Sequence, residues 1–301
     1  MTITSLSHDS IQIFRQRRTE RLLGLIRLAD ADIYDTLVGN KLPPTFVEAV
    51  AHQLVYSVNG RSPSDIASIV AQRWPRFHSL LESVDDGIAV TYSPLDRMNR
   101  IPSVFDDEVG RDTTPEIAAG IAAARRSLNA SQYGSIFSAS VGIVVALRPI
   151  SLTDTATSFT NPSVSGSVYC NILHEIPALI ARDLLHEATH CWFNNYLAAT
   201  GVALERSVPK FHSPWKQAAR PAFGFAHSVI SFSIVCLYLA GEVNMCKESD
   251  DYTARVLKVL LDRERERLAS VCDDIDILAA EYPALEFLPR LTHEATSKQT
   301  I

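Results

Sequence analysis

Apolar positions along the chain change their spacing several times, and each change marks a new element. Residues 10–29 place Ile11, Phe14, Leu22, Ile26 and Leu28 among charges at near-helical spacing, which predicts an amphipathic helix. Similar patterns at 45–58, at 64–73 with Ser62, Ser64 and Asp65 near the start, and at 114–127 make the first 130 residues mostly helical. From residue 135 the character shifts. The run 135–150, SIFSASVGIVVALRPI, is rich in β-branched residues, and 165–173, SGSVYCNIL, is a second extended candidate, so two to four strands are expected. Helix returns from 178 to about 199, with Pro177 suited to its first turn. Residues 222–246 are apolar almost throughout, and 251–281 carry apolar positions three and four apart, which predicts one long surface-packed helix. Within it, 263–267 (RERER) read as a solvated face.

Composition narrows the class. The 301 residues are 47% hydrophobic and 21% charged, which excludes a disordered, collagen-like or disulfide-dense chain. A net charge of -6 gives nothing to attract a phosphate backbone or an anionic membrane, so neither nucleic acid nor a membrane is expected as a partner. The five cysteines are odd in number and lack CxxC spacing, which suggests neither a disulfide framework nor a zinc ribbon. The opening MTITSLSHDS lacks the basic-then-apolar order of a secretion signal, and a cytoplasmic protein is expected. Residues 221–241 are free of Asp, Glu, Lys and Arg for long enough to span a bilayer. His227, Ser228, Ser231 and Ser233 within that stretch, and the lack of a basic flank, favour a buried central helix.

The chemistry concentrates at His186-Glu187-Ala188-Thr189-His190, an HExxH pattern inside a predicted helix. Residues four apart project from one helix face a turn apart, so both imidazoles can reach a single ion at about 2.0–2.2 Å. Asp183 and Asn194 share that face and are candidates to fix the imidazole tautomers. The apolar neighbours Ile180, Leu184, Leu185, Trp192 and Leu197 predict burial, and buried imidazoles need partners. A metzincin is excluded, because Phe193 and Tyr196 stand where it needs Gly and His. A gluzincin needs a later glutamate, for which Glu205 and Glu242 are available, and Glu187 would then activate water on zinc. His227 competes as third ligand, since it sits in an apolar, charge-free helix.

Further along come His212-Ser213-Pro214-Trp215-Lys216, then Arg220-Pro221, then Gly224-Phe225-Ala226-His227. HEATH, HSPWK, RP and GFAH in this order resemble the HExxH-motif peptide-modification proteins, whose studied members are Fe(II)/2-oxoglutarate-dependent peptide β-hydroxylases of ribosomal peptide biosynthesis. The resemblance covers about residues 130–245. It implies that His186 and His190 bind Fe(II) with His227 as third ligand, or Glu187 or Glu242 in its place. It also implies a dioxygenase that decarboxylates 2-oxoglutarate and hydroxylates a residue of a precursor peptide. The distal carboxylate of 2-oxoglutarate needs a cation. Arg220 is the choice because a guanidinium grips a carboxylate through two parallel bonds, Lys216 is the alternative, and His212 and Trp215 would line the pocket or hold its loop. A strand near 165–172 beside the HExxH helix would pair with an extended peptide. Two rival readings remain, a zinc metallopeptidase with Glu187 as general base and a non-catalytic peptide-binding protein. The expected architecture is α+β and helix-rich. An N-terminal helical region (1–130) packs on an HExxH catalytic core with a small β-sheet and long C-terminal helices (131–301), as two parts or as one continuous domain.

Overall fold

The computed structural model describes residues 8–55, 58, 60–81, 84–85, 88–94, 115–148, 158–160, 165–171, 176–246 and 251–297. At its centre is a five-stranded mixed sheet. The strands, numbered along the chain, are β1 (Val84–Asp85), β2 (Ile88–Pro94), β3 (Ile143–Arg148), β4 (Ser158–Thr160) and β5 (Ser167–Asn171), in the spatial order β1-β2-β3-β5-β4. The inner strands β2, β3 and β5 run parallel, with Ala89 opposite Ile143 and Ile143 opposite Ser167, and the short outer strands β1 and β4 pair antiparallel. Helices cover both faces, so β3 is apolar on both. Ile143 and Val145 enter one core with Ala89 and Tyr169, whereas Val144 and Ala146 enter the other with Val168 and Cys170.

One face is covered by α1 (His8–Ala29), α2 (Ala31–Gly39), α3 (Pro44–Leu54) and α4 (Pro63–Leu81). The α4 start carries a reciprocal cap. Ser62 Oγ accepts from the Asp65 amide at 3.2 Å, and the Asp65 carboxylate accepts from the Ser62 amide at 3.4 Å. The other face is covered by α5 (Pro115–Ala130), α6 (Gly134–Ser140), α7 (Pro177–Thr200), α8 (Ala222–Cys246), α9 (Asp251–Ala269), α10 (Cys272–Glu281) and α11 (Leu288–Thr296). A two-stranded hairpin, β6 (Phe211–Ser213) with β7 (Ala218–Arg220), lies between α7 and α8 in sequence.

Two helices position the site. Helix α7 begins at Pro177, as its sequence predicts, and lies against β4 and β5. It ends at Gly201, whose left-handed backbone (φ 69) lets Val202 N–H reach Leu197 O at 3.0 Å. Helix α8 is long and apolar enough to cross a bilayer, yet 89% of its most apolar stretch is buried. It is the buried central helix expected, packed among α7, α9 and α11.

The fold is helix-rich α+β as expected, with local departures. Residues 135–140 of the first extended candidate belong to α6, which buries Ile136 and Phe137, and the strand begins only at Ile143. Strands β1 and β2 lie inside the region read as helical, and β2 pairs directly with β3. Over 135–173, where two to four strands are expected, the described residues form three, β3, β4 and β5. The stretch 251–281 is two helices. Val271 N–H takes a tighter bond to Leu268 O at 3.2 Å and Ser270 Oγ donates to Arg267 O at 2.8 Å, which ends α9. Helix α2 has no counterpart in the periodicity reading.

Candidate metal centre

His186 and His190 stand one turn apart on α7, and their Nε2 atoms lie 3.0 Å apart. This is about the separation of two adjacent ligands when bonds of roughly 2.0–2.1 Å meet at one ion. Withdrawal from water lowers both pKa values. His190 falls to about 4, with Arg220 adding to the effect, and His186 falls well below its usual value, with His190, Arg182 and Lys216 contributing. Both rings are therefore neutral near pH 7, the state that a metal ligand requires.

The other edge of His190 is occupied from α8. Its Nδ1 lies 3.0 Å from Ser231 Oγ and 3.0 Å from His227 Nδ1, and these two partners are themselves a turn apart. A proton on Nδ1 shared with them leaves the Nε2 lone pair facing His186. His227, expected as third ligand, is thus brought into the site but meets the far nitrogen of His190. It is buried, ringed by Phe193 and Phe223, and its Nε2 has no hydrogen-bond partner among the described residues.

Among the described residues, the donor atoms that converge belong to His186, Glu187 and His190, all within 4.8 Å of one another. Glu187 is 2% exposed. Burial pushes its pKa up to about 8, against the pull of the Ser158 and Thr160 hydroxyls. Ser158 Oγ donates to Oε1 at 2.6 Å, and Oε2 has no partner among the described residues. A buried carboxylate without a cation is costly, and an ion held by the two imidazoles would remove that cost. The residues present fit a divalent metal.

These groups open into a cavity of about 570 Å³. Lys216, Arg220 and Trp215 line it as expected, whereas His212 is exposed, because β6 alternates and turns Phe211 and Ser213 inward. Arg220 lies across Gly224, where a β-carbon would fall 2.8 Å from Nε. Neither Lys216 nor Arg220 has an ion-pair partner among the described residues.

Asp183 pairs with Arg182 at 2.6 Å, and Ser231 with His227 takes the tautomer-fixing place at His190 that Asp183 and Asn194 were expected to fill. Glu205 is exposed, and its carboxylate accepts from Ser207 N–H (2.6 Å) and Val208 N–H (3.2 Å) outside the cavity. Glu242 accepts from Ser127 at 3.0 Å, away from the imidazoles. The expected peptide-pairing strand, β5, is internal between β3 and β4. The RERER run is a solvated face only in part, since Arg263 and Glu266 are exposed while Glu264 is 4% exposed and lines the cavity with Arg263 and Arg267. Ser231 was signalled only by its position one turn after His227, and Ser158 and Thr160 by nothing local. Comparison with models of protein families and with curated proteins finds no match for this chain.

Proposed function

We propose that this protein is a cytoplasmic Fe(II)/2-oxoglutarate-dependent oxygenase that hydroxylates a peptide. The observation that carries the reading is a pair of neutral imidazole nitrogens 3.0 Å apart in a cavity whose wall presents Arg220 and Lys216 without ion-pair partners. His186 and His190 hold the metal, and Glu187 is the third donor. His227 and Ser231 fix the orientation of His190. Bound Fe(II) supplies one-electron and O₂ chemistry, so that 2-oxoglutarate, O₂ and a C–H bond give succinate, CO₂ and a C–OH bond. Arg220 receives the distal carboxylate in a two-point grip, with Lys216 adding charge. Phe223 and Phe232, both on the cavity wall, exclude water from the reacting end.

The test is anaerobic reconstitution with Fe(II) and 2-oxoglutarate, followed by oxygen and candidate peptides. The expected result is about one iron per chain and a weak visible band that needs 2-oxoglutarate. Succinate is then released in step with peptide hydroxylation. A protein that binds no iron, or that consumes no 2-oxoglutarate, overturns the reading. The raised pKa and unpartnered oxygen of Glu187 also favour a second one, a zinc metallopeptidase in which this carboxylate takes the proton of water. Restoration of peptide cleavage by zinc would establish it.

A further inference from the structure

The wall that α9 gives to the cavity carries charges that the metal centre does not use. Glu264 accepts hydrogen bonds from Trp215 Nε1 at 2.8 Å, Arg263 Nε at 3.1 Å and Arg267 Nη1 at 3.0 Å. A carboxylate so far from water is tolerated because it is paired this fully. The arginines are not used up by it. Among the described residues Arg263 commits only Nε and Arg267 only Nη1, and their side chains are 52% and 33% exposed. The cluster therefore buries one negative charge and leaves two partly exposed arginines on the cavity lining.

Its position sets what it can bind. Trp215 stacks on Phe232 (centroids 4.6 Å apart, planes 3° apart), and Phe232 lies 4.8 Å from the His186 ring. The arginines are thus two rings removed from the imidazole pair. An extended peptide, rising about 3.3 Å per residue, crosses that interval in a few residues. We propose that Arg263 and Arg267, set in place by Glu264, form a second anion subsite that selects peptides with an acidic side chain a few residues from the reacting one. This rests on the peptide reading given above and adds the charge of the substrate. Glu264 also fixes the hairpin through Trp215, a purely structural task that charge on the peptide would not sense.

Fluorescence anisotropy of the metal-free full chain tests it, with a labelled, terminally blocked pentapeptide carrying one glutamate among alanines and its glutamine counterpart. The glutamate peptide should bind about tenfold tighter, the usual worth of one charge-assisted contact. Arg263→Gln, half exposed and safe for folding, should shrink that ratio, and Arg263→Gln with Arg267→Gln should bring it to about one. Equal binding of both peptides, no binding, or a ratio untouched by the double variant overturns the subsite. Titration of the Fe(II)-loaded protein with 2-oxoglutarate separates the two claims. If 2-oxoglutarate does not bind while the arginine-dependent preference persists, the oxygenase reading fails and the subsite stands.

Discussion

Two carboxylates are buried in the helical layers on either side of the sheet, each 2% exposed, and their surroundings are opposite. Glu48 on α3 lies between Arg15 and Arg18 of α1, and Arg18 also reaches Ser165 and Asn195 at 2.9 Å each. Burial alone would raise its pKa, but the two guanidinium groups hold it below the ordinary value. Glu187 on α7 has hydroxyls and the like charge of Asp183 for company, and burial, with Asp183 adding to it, raises it to about 8. A carboxylate that carries its own counterions is part of the scaffold. One that lacks them inside a cavity, beside two neutral imidazoles, either keeps its proton to higher pH or takes a cation supplied from outside.

The contrast can be broken most strongly on the scaffold side. Arg15→Ala combined with Arg18→Ala removes both counterions and leaves Glu48 buried, which should cost about 3–5 kcal/mol in urea unfolding. An effect within about 0.5 kcal/mol would mean that Glu48 is not held as described. The sign with pH follows from the lowered value. The contribution of Glu48 is complete above its ordinary pKa of 4.5 and is lost as pH falls through the folded value, so Glu48→Gln should flatten the acid limb of stability.

On the cavity side the expected change is smaller and reversed. For Glu187 the folded value, about 8, lies above the ordinary 4.5, so its contribution is complete below 4.5 and declines as pH rises to about 8. In metal-free protein, Glu187→Gln should remove that decline and add about 1–3 kcal/mol of stability at pH 8. An unchanged slope between these pH values would show that Glu187 already has a cation.

Glu264 allows a finer comparison, because it too has arginine partners. Trp215→Phe keeps the stack on Phe232 and deletes one bond to a charged acceptor, for an expected loss of about 1.5 kcal/mol in thermal unfolding. Ser158→Ala deletes a bond to the largely protonated Glu187 and should cost less, about 1 kcal/mol. A reversed order of these two losses would contradict the assigned charge states.

The legible and illegible parts of the molecule divide along physical lines. The i, i+4 imidazoles were readable from helical spacing, and helix α8 from the long stretch, 221–241, that is free of charged residues. Arg220 and Lys216 were singled out for the co-substrate that the resemblance implies, and both line the cavity. The role of His227 was not, since which nitrogen it meets depends on how α7 and α8 pack. The RERER run looked solvated because its charges dominate its composition, and only the packing of α9 against α8 and the hairpin buries Glu264. Strand β2 escaped because it is identified by its pairing with β3, more than fifty positions away.

Gly224 has a consequence for where Arg220 stands in the cavity wall. Arg220 rests where a β-carbon at 224 would sit, so a single methyl group there would drive the guanidinium away from the helix without altering any charge. The reach of that guanidinium into the cavity is therefore set by a hydrogen atom. On the function proposed above, Gly224→Ala would be the smallest alteration able to shift preference from a five-carbon to a shorter keto acid.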